Sequence, residues 1–253
     1  MILITNDDGF AATGIQELAK AVSHLGDVYV VAPDGGRSGV ACAISSNTPV
    51  RYEPLTRLPS SPLIHWFACT GTPVDCVKLA LERILPRHPD LILSGINHGD
   101  NASISVHYSG TMGAVLEGCM KGIPSIGVSL YLRRGEKYED HAVPEATLGE
   151  IGKICEKVLQ QGLPQGVCLN INIPQSDTFR GWRVCRQTHG QWTAEWLPDG
   201  ERTFQLTGTF TDLEPDAPDT DFAALRAGYC SIVPVRIDMT AHEAIDHISK
   251  LIS

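Results

Sequence analysis

Two adjacent acids, Asp7 and Asp8, stand in the turn Asn6-Asp7-Asp8-Gly9, directly after an apolar stretch over residues 1–5. Carboxylates this close repel one another, and each raises the other's pKa unless a cation or a hydrogen-bond donor intervenes. A hard divalent ion such as Mg²⁺ or Mn²⁺ relieves that repulsion, because it prefers carboxylate, amide-carbonyl and water oxygens. The same four residues also fit an ordinary turn closed by its own side-chain caps.

Two more polar, glycine-containing loops carry candidates. Asp34-Gly35-Gly36-Arg37-Ser38-Gly39 offers Ser38 as a metal or phosphate ligand with Gly39 beside it, while Arg37 reads as a solvated surface residue. Residues 94–101 place Asn97 and Asn101 as neutral oxygen ligands or amide donors. Tyr108-Ser109-Gly110-Thr111 then opens an apolar helix. Ser109, Gly110 and Thr111 bring hydroxyls and N–H groups to that helix N-terminus, where phosphate is favoured. A plain Ser/Thr N-cap accounts for Thr111 as well. His107 is a candidate general acid or substrate contact.

Other chemistries lack their spacing. There is no H-E-x-x-H or Cys/His pattern for zinc, no P-loop or G-x-G-x-x-G, and no G-x-S-x-G elbow for a serine hydrolase.

The elements that must position these loops follow from apolar periodicity. Short apolar runs predict strands over 1–5, 28–32, 91–94, 126–130 and 168–173. Helical spacing covers 15–25, 73–85, 110–122 and 145–159. Strands alternating with helices give an α/β fold, a Rossmann-like, mostly parallel sheet with helices on both faces. In such sheets ligands bind beyond the carboxyl ends of the strands, and all three polar loops directly follow a strand. Residues 95–109 are read as loop.

Past residue 177 the character changes. Trp182, Trp192, Trp196, Phe204 and Phe210 stand among Thr, Gly and charged residues, a pattern of extended hairpins whose exposed aromatics suit an oligomer contact. The organisation expected is a catalytic core over 1–180, an extended hairpin arm over 181–230, and a returning strand and helix over 231–253.

Composition narrows the partners. Twenty basic against 29 acidic residues leave a net charge of −9, which argues against duplex nucleic acid. A phosphate ligand therefore needs a bound cation or a nest of N–H groups to overcome the global field. The eight cysteines form no C-x-x-C pair and read as free, buried thiols. No secretion signal and no bilayer-length apolar run is apparent, so a cytoplasmic protein with no membrane partner is expected.

Asn6-Asp7-Asp8-Gly9, Arg37-Ser38-Gly39, Gly71-Thr72-Pro73-Val74-Asp75-Cys76-Val77, Ser94-Gly95-Ile96-Asn97 with Gly99 and Asn101, and Tyr108-Ser109-Gly110-Thr111 follow one another in order over roughly the first 130 residues. Together they resemble the signature blocks of SurE, the survival-protein E 5'/3'-nucleotidases. The resemblance implies hydrolysis of the phosphomonoester of nucleoside 5'- or 3'-monophosphates, with one divalent ion per subunit. It assigns the metal to Asp7, Asp8, Ser38 and Asn97, and phosphate to Asn101, Ser109, Gly110 and Thr111. It further implies a homodimer or homotetramer supported by the arm. His98 and Asp100 vary from the family's pattern, and Asp100 is expected to add negative charge near the anion site. Asp8 is favoured over Asp7 as nucleophile or general base. The alternatives are a non-catalytic nucleotide- or phosphate-binding module and a haloacid-dehalogenase-type phosphatase, which needs Asp-x-Asp where this chain has Gly9.

Overall fold

The structure, a computed structural model, describes residues 1–56, 61–132, 136–138, 141 and 143–252. Its backbone is a nine-stranded sheet. The first βαβ unit is β1 (Ile2–Thr5), α1 (Thr13–Val22) and β2 (Val28–Pro33). Next come β3 (Tyr52–Leu55), β4 (Ile64–Cys69), α2 (Pro73–Leu79), β5 (Leu91–His98), α3 (Gly110–Met120), β6 (Ser125–Leu130), α4 (Glu145–Gln161) and β7 (Val167–Ile173). The remainder holds β8 (Trp182–Val184), β9 (Gly190–Thr193), β10 (Trp196–Pro198), β11 (Phe204–Leu206), β12 (Thr209–Asp212), α5 (Asp221–Arg226), β13 (Cys230–Arg236) and α6 (Ile245–Leu251).

The sheet order is β3-β4-β2-β1-β5-β6-β7-β13-β8, parallel from β4 to β7, with β3 and β13 antiparallel to their neighbours β4 and β7. Strand order reverses between β1 and β5, which is where an open parallel sheet opens a crevice at its carboxyl ends. Period-two alternation covers both faces. Ile2 and Ile4 pack with Ile15, Leu18, Ile151 and Cys155 under α1 and α4. Leu3 packs with Val31, Cys76, Val77 and Ala114 under α2 and α3. Strands buried on both faces read as apolar runs, and so β1, β2, β5 and β6 are legible in the sequence, while β7 alternates apolar residues with the buried Asn170 and Asn172.

Three differences from that reading have physical causes. The segment expected as loop after residue 94 stays extended to His98, and Ser103–His107 forms a 3₁₀ turn. Polar residues there still carry ladder bonds, because they leave the core at the sheet end. β3 and β4 escape a hydrophobicity reading because β3 is an edge strand with Pro54 and β4 carries His65 on its outer side. The stretch expected as arm divides: β8 pairs parallel to β13 in the main sheet and α5 packs on the core, while only the hairpins between residues 190 and 212 project from it.

All eight cysteines are free. Burial pushes Cys155, Cys168 and Cys230 up to about 12, so these thiols are protonated and inert. Among the described residues no helix is long and apolar enough to cross a membrane.

Candidate metal and phosphate site

The end of β1 sets the first carboxylate. Asn6 closes the turn with two bonds: its amide donates to the Gly9 carbonyl at 2.9 Å, and its Oδ1 accepts from the Gly9 N–H at 3.1 Å. Gly9 sits at φ +100°, where a side chain would be strained. The chain therefore turns sharply and leaves Asp7 4% exposed at the strand end. The Asp7 carbonyl accepts from the Arg37 N–H at 2.6 Å, stitching the second loop to the first.

Asp7 points at the start of α3. Thr111 donates its hydroxyl proton to Asp7 Oδ1 at 2.6 Å. A Cβ on Gly110 would lie 2.9 Å from Asp7 Cβ and 3.0 Å from its Oδ2, so only glycine lets helix and carboxylate approach this closely. Burial pushes the Asp7 carboxyl up to about 6, with Asp8 adding to the rise and the Thr111 hydrogen bond opposing it. Asp8 turns toward β5. Its Oδ2 accepts from the His98 N–H at 3.1 Å, and its Oδ1 lies 3.8 Å from His98 Nδ1. The His98 ring stacks on Tyr138 at 4.3 Å, and the Tyr138 hydroxyl is anchored on Glu17.

The β5 end delivers Asn97. Pairing with β6 shifts register between Ser94 and Asn97, and bulges of this kind re-aim a side chain at a strand end. A Cβ on Gly95 would lie 2.1 Å from the Val128 carbonyl oxygen, so the irregular segment needs glycine there. The Asn97 amide nitrogen donates to the Gly99 carbonyl at 2.6 Å, which commits the nitrogen and presents the oxygen on the other side.

Asn101 is held from three sides. Its N–H donates to Asn172 Oδ1 at 2.8 Å, its carbonyl accepts from Asn170 Nδ2 at 2.8 Å, and its own amide donates to Ser129 Oγ at 2.7 Å. All four residues are buried. Ser109 is the N-cap of α3 and accepts from the Met112 N–H at 3.0 Å, which leaves its hydroxyl proton to be donated outward.

The Gly71-Thr72-Pro73-Val74-Asp75 block supports the second loop. Thr72 and Asp75 form a reciprocal capping box at α2. Asp75 Oδ1 also accepts from the Ser45 N–H at 3.1 Å, and the Thr72 hydroxyl donates to the Ala43 carbonyl at 2.7 Å.

A cleft of about 330 Å³ gathers Asp7, Ser38, Gly39, Asn97, Asn101 and Ser109 on one side. Asp8 reaches the same end of the sheet through His98, which lines the cleft. Three expected residues fall elsewhere. Thr111 is fully buried with its hydroxyl spent on Asp7, and Gly110 abuts the same carboxylate, so the helix N-terminus expected to hold phosphate holds Asp7. His107 points into a separate cavity with Cys42, Leu116 and Arg236, because the 3₁₀ turn rotates it off the site. Asp100 is also absent from the cleft: its Oδ1 accepts from the Ala102 N–H at 3.1 Å, a local turn cap. Sequence reasoning missed Tyr108 and Ser105 as lining residues, and the wall that the arm contributes through Trp192, Glu195, Leu206 and Thr207. The aromatic enrichment of the arm was a signal for that wall, but it pointed to an oligomer contact and not to the cleft.

Among the described residues no group of three or more His, Cys, Asp or Glu could hold a metal ion. Two carboxylates with a hydroxyl and an amide oxygen fit a hard cation rather than zinc. Burial of Asp7 beside Asp8, with no lysine or arginine among the described residues that line the cleft, leaves charge that such a cation would neutralise.

Oxygen donors gathered at the switch point of a parallel sheet define a doubly wound α/β protein with an oxygen-lined cleft at the carboxyl ends of its strands. Residues 2–194 match the family model described as Survival protein SurE. The chain is 46% identical to a 5'-nucleotidase SurE of Phocaeicola vulgatus, covering 99% of this chain and 96% of that one. It is also 46% identical to a 5'-nucleotidase SurE of Bacteroides thetaiotaomicron, covering 98% and 95%. The crystal structure of a SurE protein from Aquifex aeolicus superposes with a TM-score of 0.80 at 32% identity, over 100% of this chain and 99% of that one. The chain belongs to the SurE family.

Proposed function

We propose that this chain is a nucleotidase that hydrolyses the phosphomonoester of nucleoside monophosphates with a divalent cation, Mg²⁺ or Mn²⁺, one per subunit, held by Asp7, Asp8, Ser38 and Asn97. One observation carries the reading: a cleft lined by Asp7 and Glu195, with no lysine or arginine among its described lining residues, in a chain of net charge −9. An anionic phosphate enters such a cleft only together with a cation. When bound, that ion polarises the phosphoryl group and lowers the pKa of a water. The names of the relatives, 5'-nucleotidase SurE, agree with this chemistry.

The chain's own residues have separate tasks. Asp7, buried and fixed by Thr111, is a positioned ligand. Asp8 is more exposed and is the proton acceptor for the attacking water. The outward hydroxyl protons of Ser38 and Ser109, with Gly39 and Asn101 beside them, bind the phosphate oxygens and stabilise their charge in the transition state. The arm hairpins add Trp192, Glu195, Leu206 and Thr207 to the lining of the cleft.

Outside the cleft, Trp196 and Phe204 on the β10–β11 hairpin are 61% and 57% exposed, which suits a contact between copies of the chain in a homodimer or homotetramer. A cytoplasmic location is part of the same proposal.

The test is phosphate release by chelator-stripped protein across a screen of metals and nucleotides. Release restored by Mg²⁺ or Mn²⁺ and absent without metal is expected. Nucleotide binding without release under every metal would replace the hydrolase with a binding module.

A further inference from the structure

The cleft has two unlike walls. One carries the Asp7 carboxylate with the hydroxyls and amides described above; the other comes from the arm and carries an indole, an apolar side chain and a carboxylate, Trp192, Leu206 and Glu195. A phosphate site has no use for an indole face. We infer that Trp192 is a stacking platform for the nucleobase, flanked by Leu206, so that the arm hairpin supplies the base subsite of the nucleotide cleft. The inference rests on the nucleotidase reading and extends it to residues that reading does not use.

Three observations support the assignment. Trp192 is held in place before any ligand arrives: its ring meets Phe210 edge-on at 5.7 Å, Phe210 stacks on Phe222 at 4.8 Å, and Phe222 meets Tyr131 at 6.3 Å. This aromatic chain runs from the arm to the end of the main sheet and costs the platform its freedom in advance, which favours binding. Gly208 lets the returning strand pass closely behind the indole, since a Cβ there would lie 3.0 Å from Trp192 Cε3. The base of the arm is tied to the site itself. Asp221, 1% exposed, accepts from the Thr188 N–H at 3.0 Å through Oδ1 and from the Ser103 N–H at 2.8 Å through Oδ2, and Ser103 begins the 3₁₀ turn that precedes Ser109.

Charge fixes the orientation of the ligand. Glu195 on the arm wall repels a phosphate, whereas the opposite wall offers hydroxyl donors and the cation ligands. The anionic end of a nucleotide therefore faces Ser38 and Ser109, and its flat, neutral base faces Trp192. A cleft of about 330 Å³ lies at the small end of ligand sites and suits a single mononucleotide. Stacking of a base on an aromatic side chain is tolerant of base identity, so the preference is for nucleotides over base-free phosphomonoesters, with weak discrimination among bases.

The experiment measures kcat/KM for adenosine monophosphate and for ribose 5-phosphate in the wild type, Trp192→Ala and Trp192→Phe. The ratio of the two values is insensitive to the fraction of folded protein. The wild type is expected to prefer the nucleotide. The ratio should fall about 10- to 100-fold in Trp192→Ala, mainly through KM, and stay within about threefold of wild type in Trp192→Phe. A ratio unchanged in Trp192→Ala overturns the base subsite. A wild type that releases phosphate from neither compound defeats the hydrolase reading instead. Adenosine binding, measured by calorimetry, then decides the subsite alone: loss in Trp192→Ala upholds it, and equal binding by both proteins overturns it.

Discussion

Thr111 and Asp7, separated by 104 residues in the chain, are joined by a hydroxyl–carboxylate hydrogen bond of 2.6 Å inside the protein. The α3 N-terminus, a natural anion site, thus stabilises a carboxylate of the protein itself. Asp7 is shaped for one task by a helix far away in sequence, and the neighbouring Asp8 is left nearer to solvent.

Thr111→Val removes that donor while keeping the shape. Metal titration of phosphate release should show about 10- to 100-fold weaker metal activation, the usual cost of losing a partner that orients a ligand. The melting temperature should fall as well, because a buried carboxylate loses its bond. Unaltered metal dependence would show that Asp7 needs no orienting partner.

Gly110→Ala tests the close approach. A Cβ 2.9 Å from Asp7 Cβ and 3.1 Å from Val40 Cγ2 forces the carboxylate or the start of α3 to move. Activity should drop at least tenfold, since sub-ångström displacement of a site group is costly, while circular dichroism retains the folded signal. Wild-type turnover would mean that the helix start yields without moving Asp7.

Asp8→Asn keeps an acceptor for the His98 N–H, now at 3.1 Å, and deletes the charge. The rate kcat should fall about 10²- to 10⁴-fold, the range for loss of a general acid–base group, with a melting temperature within a few degrees of wild type. Near-wild-type turnover would remove Asp8 from the chemistry.

Asn172→Leu removes the acceptor that receives the Asn101 N–H at 2.8 Å. A buried N–H without a partner costs about 1–3 kcal/mol, so chemical denaturation should show a loss of that order. KM for the phosphate compound should rise because Asn101 is freed. A stability loss with KM unchanged would leave the asparagine ladder a purely structural feature.

Asp100 gives a pH dependence with a defined sign. Burial pushes its carboxyl from 3.8 up to about 6, with the Ala102 N–H opposing and Asp221 reinforcing the rise. The folded state holds the proton more tightly than the unfolded chain, so this group favours folding below about pH 4 and loses that contribution as pH rises through about 6. Asp100→Asn keeps the acceptor for Ala102 and carries no charge. Its melting temperature should exceed wild type at pH 7.5 and converge with it toward pH 4, at about 2–4 °C per kcal/mol in a chain of this size. Equal melting curves at pH 7.5 would show that the carboxylate is solvated in the folded protein.

Local patterns in the chain determined a great deal. Strands buried on both faces tend to be apolar runs, so β1, β2, β5 and β6 were visible, β7 was visible from its alternating apolar residues, and each polar loop after a strand was a candidate for the open end of the sheet. Residue type marked Asp7, Asp8, Ser38, Asn97 and Asn101 as candidate oxygen donors, and the resemblance to SurE narrowed the metal set to the first four. Edge and irregular elements were not visible, because β3 and the 3₁₀ turn at residues 103–107 bury too little to leave a periodic signature. Tertiary structure decided the rest. Whether Thr111 bonds to Asp7, whether His107 enters the cleft, and whether Trp192 lines it all depend on a rotation or a long-range approach. Such choices are made by side-chain packing across segments about 80 to 100 residues apart, as in the Ser103–Thr188 and Asp7–Thr111 hydrogen bonds. No window of sequence contains both partners of such a contact.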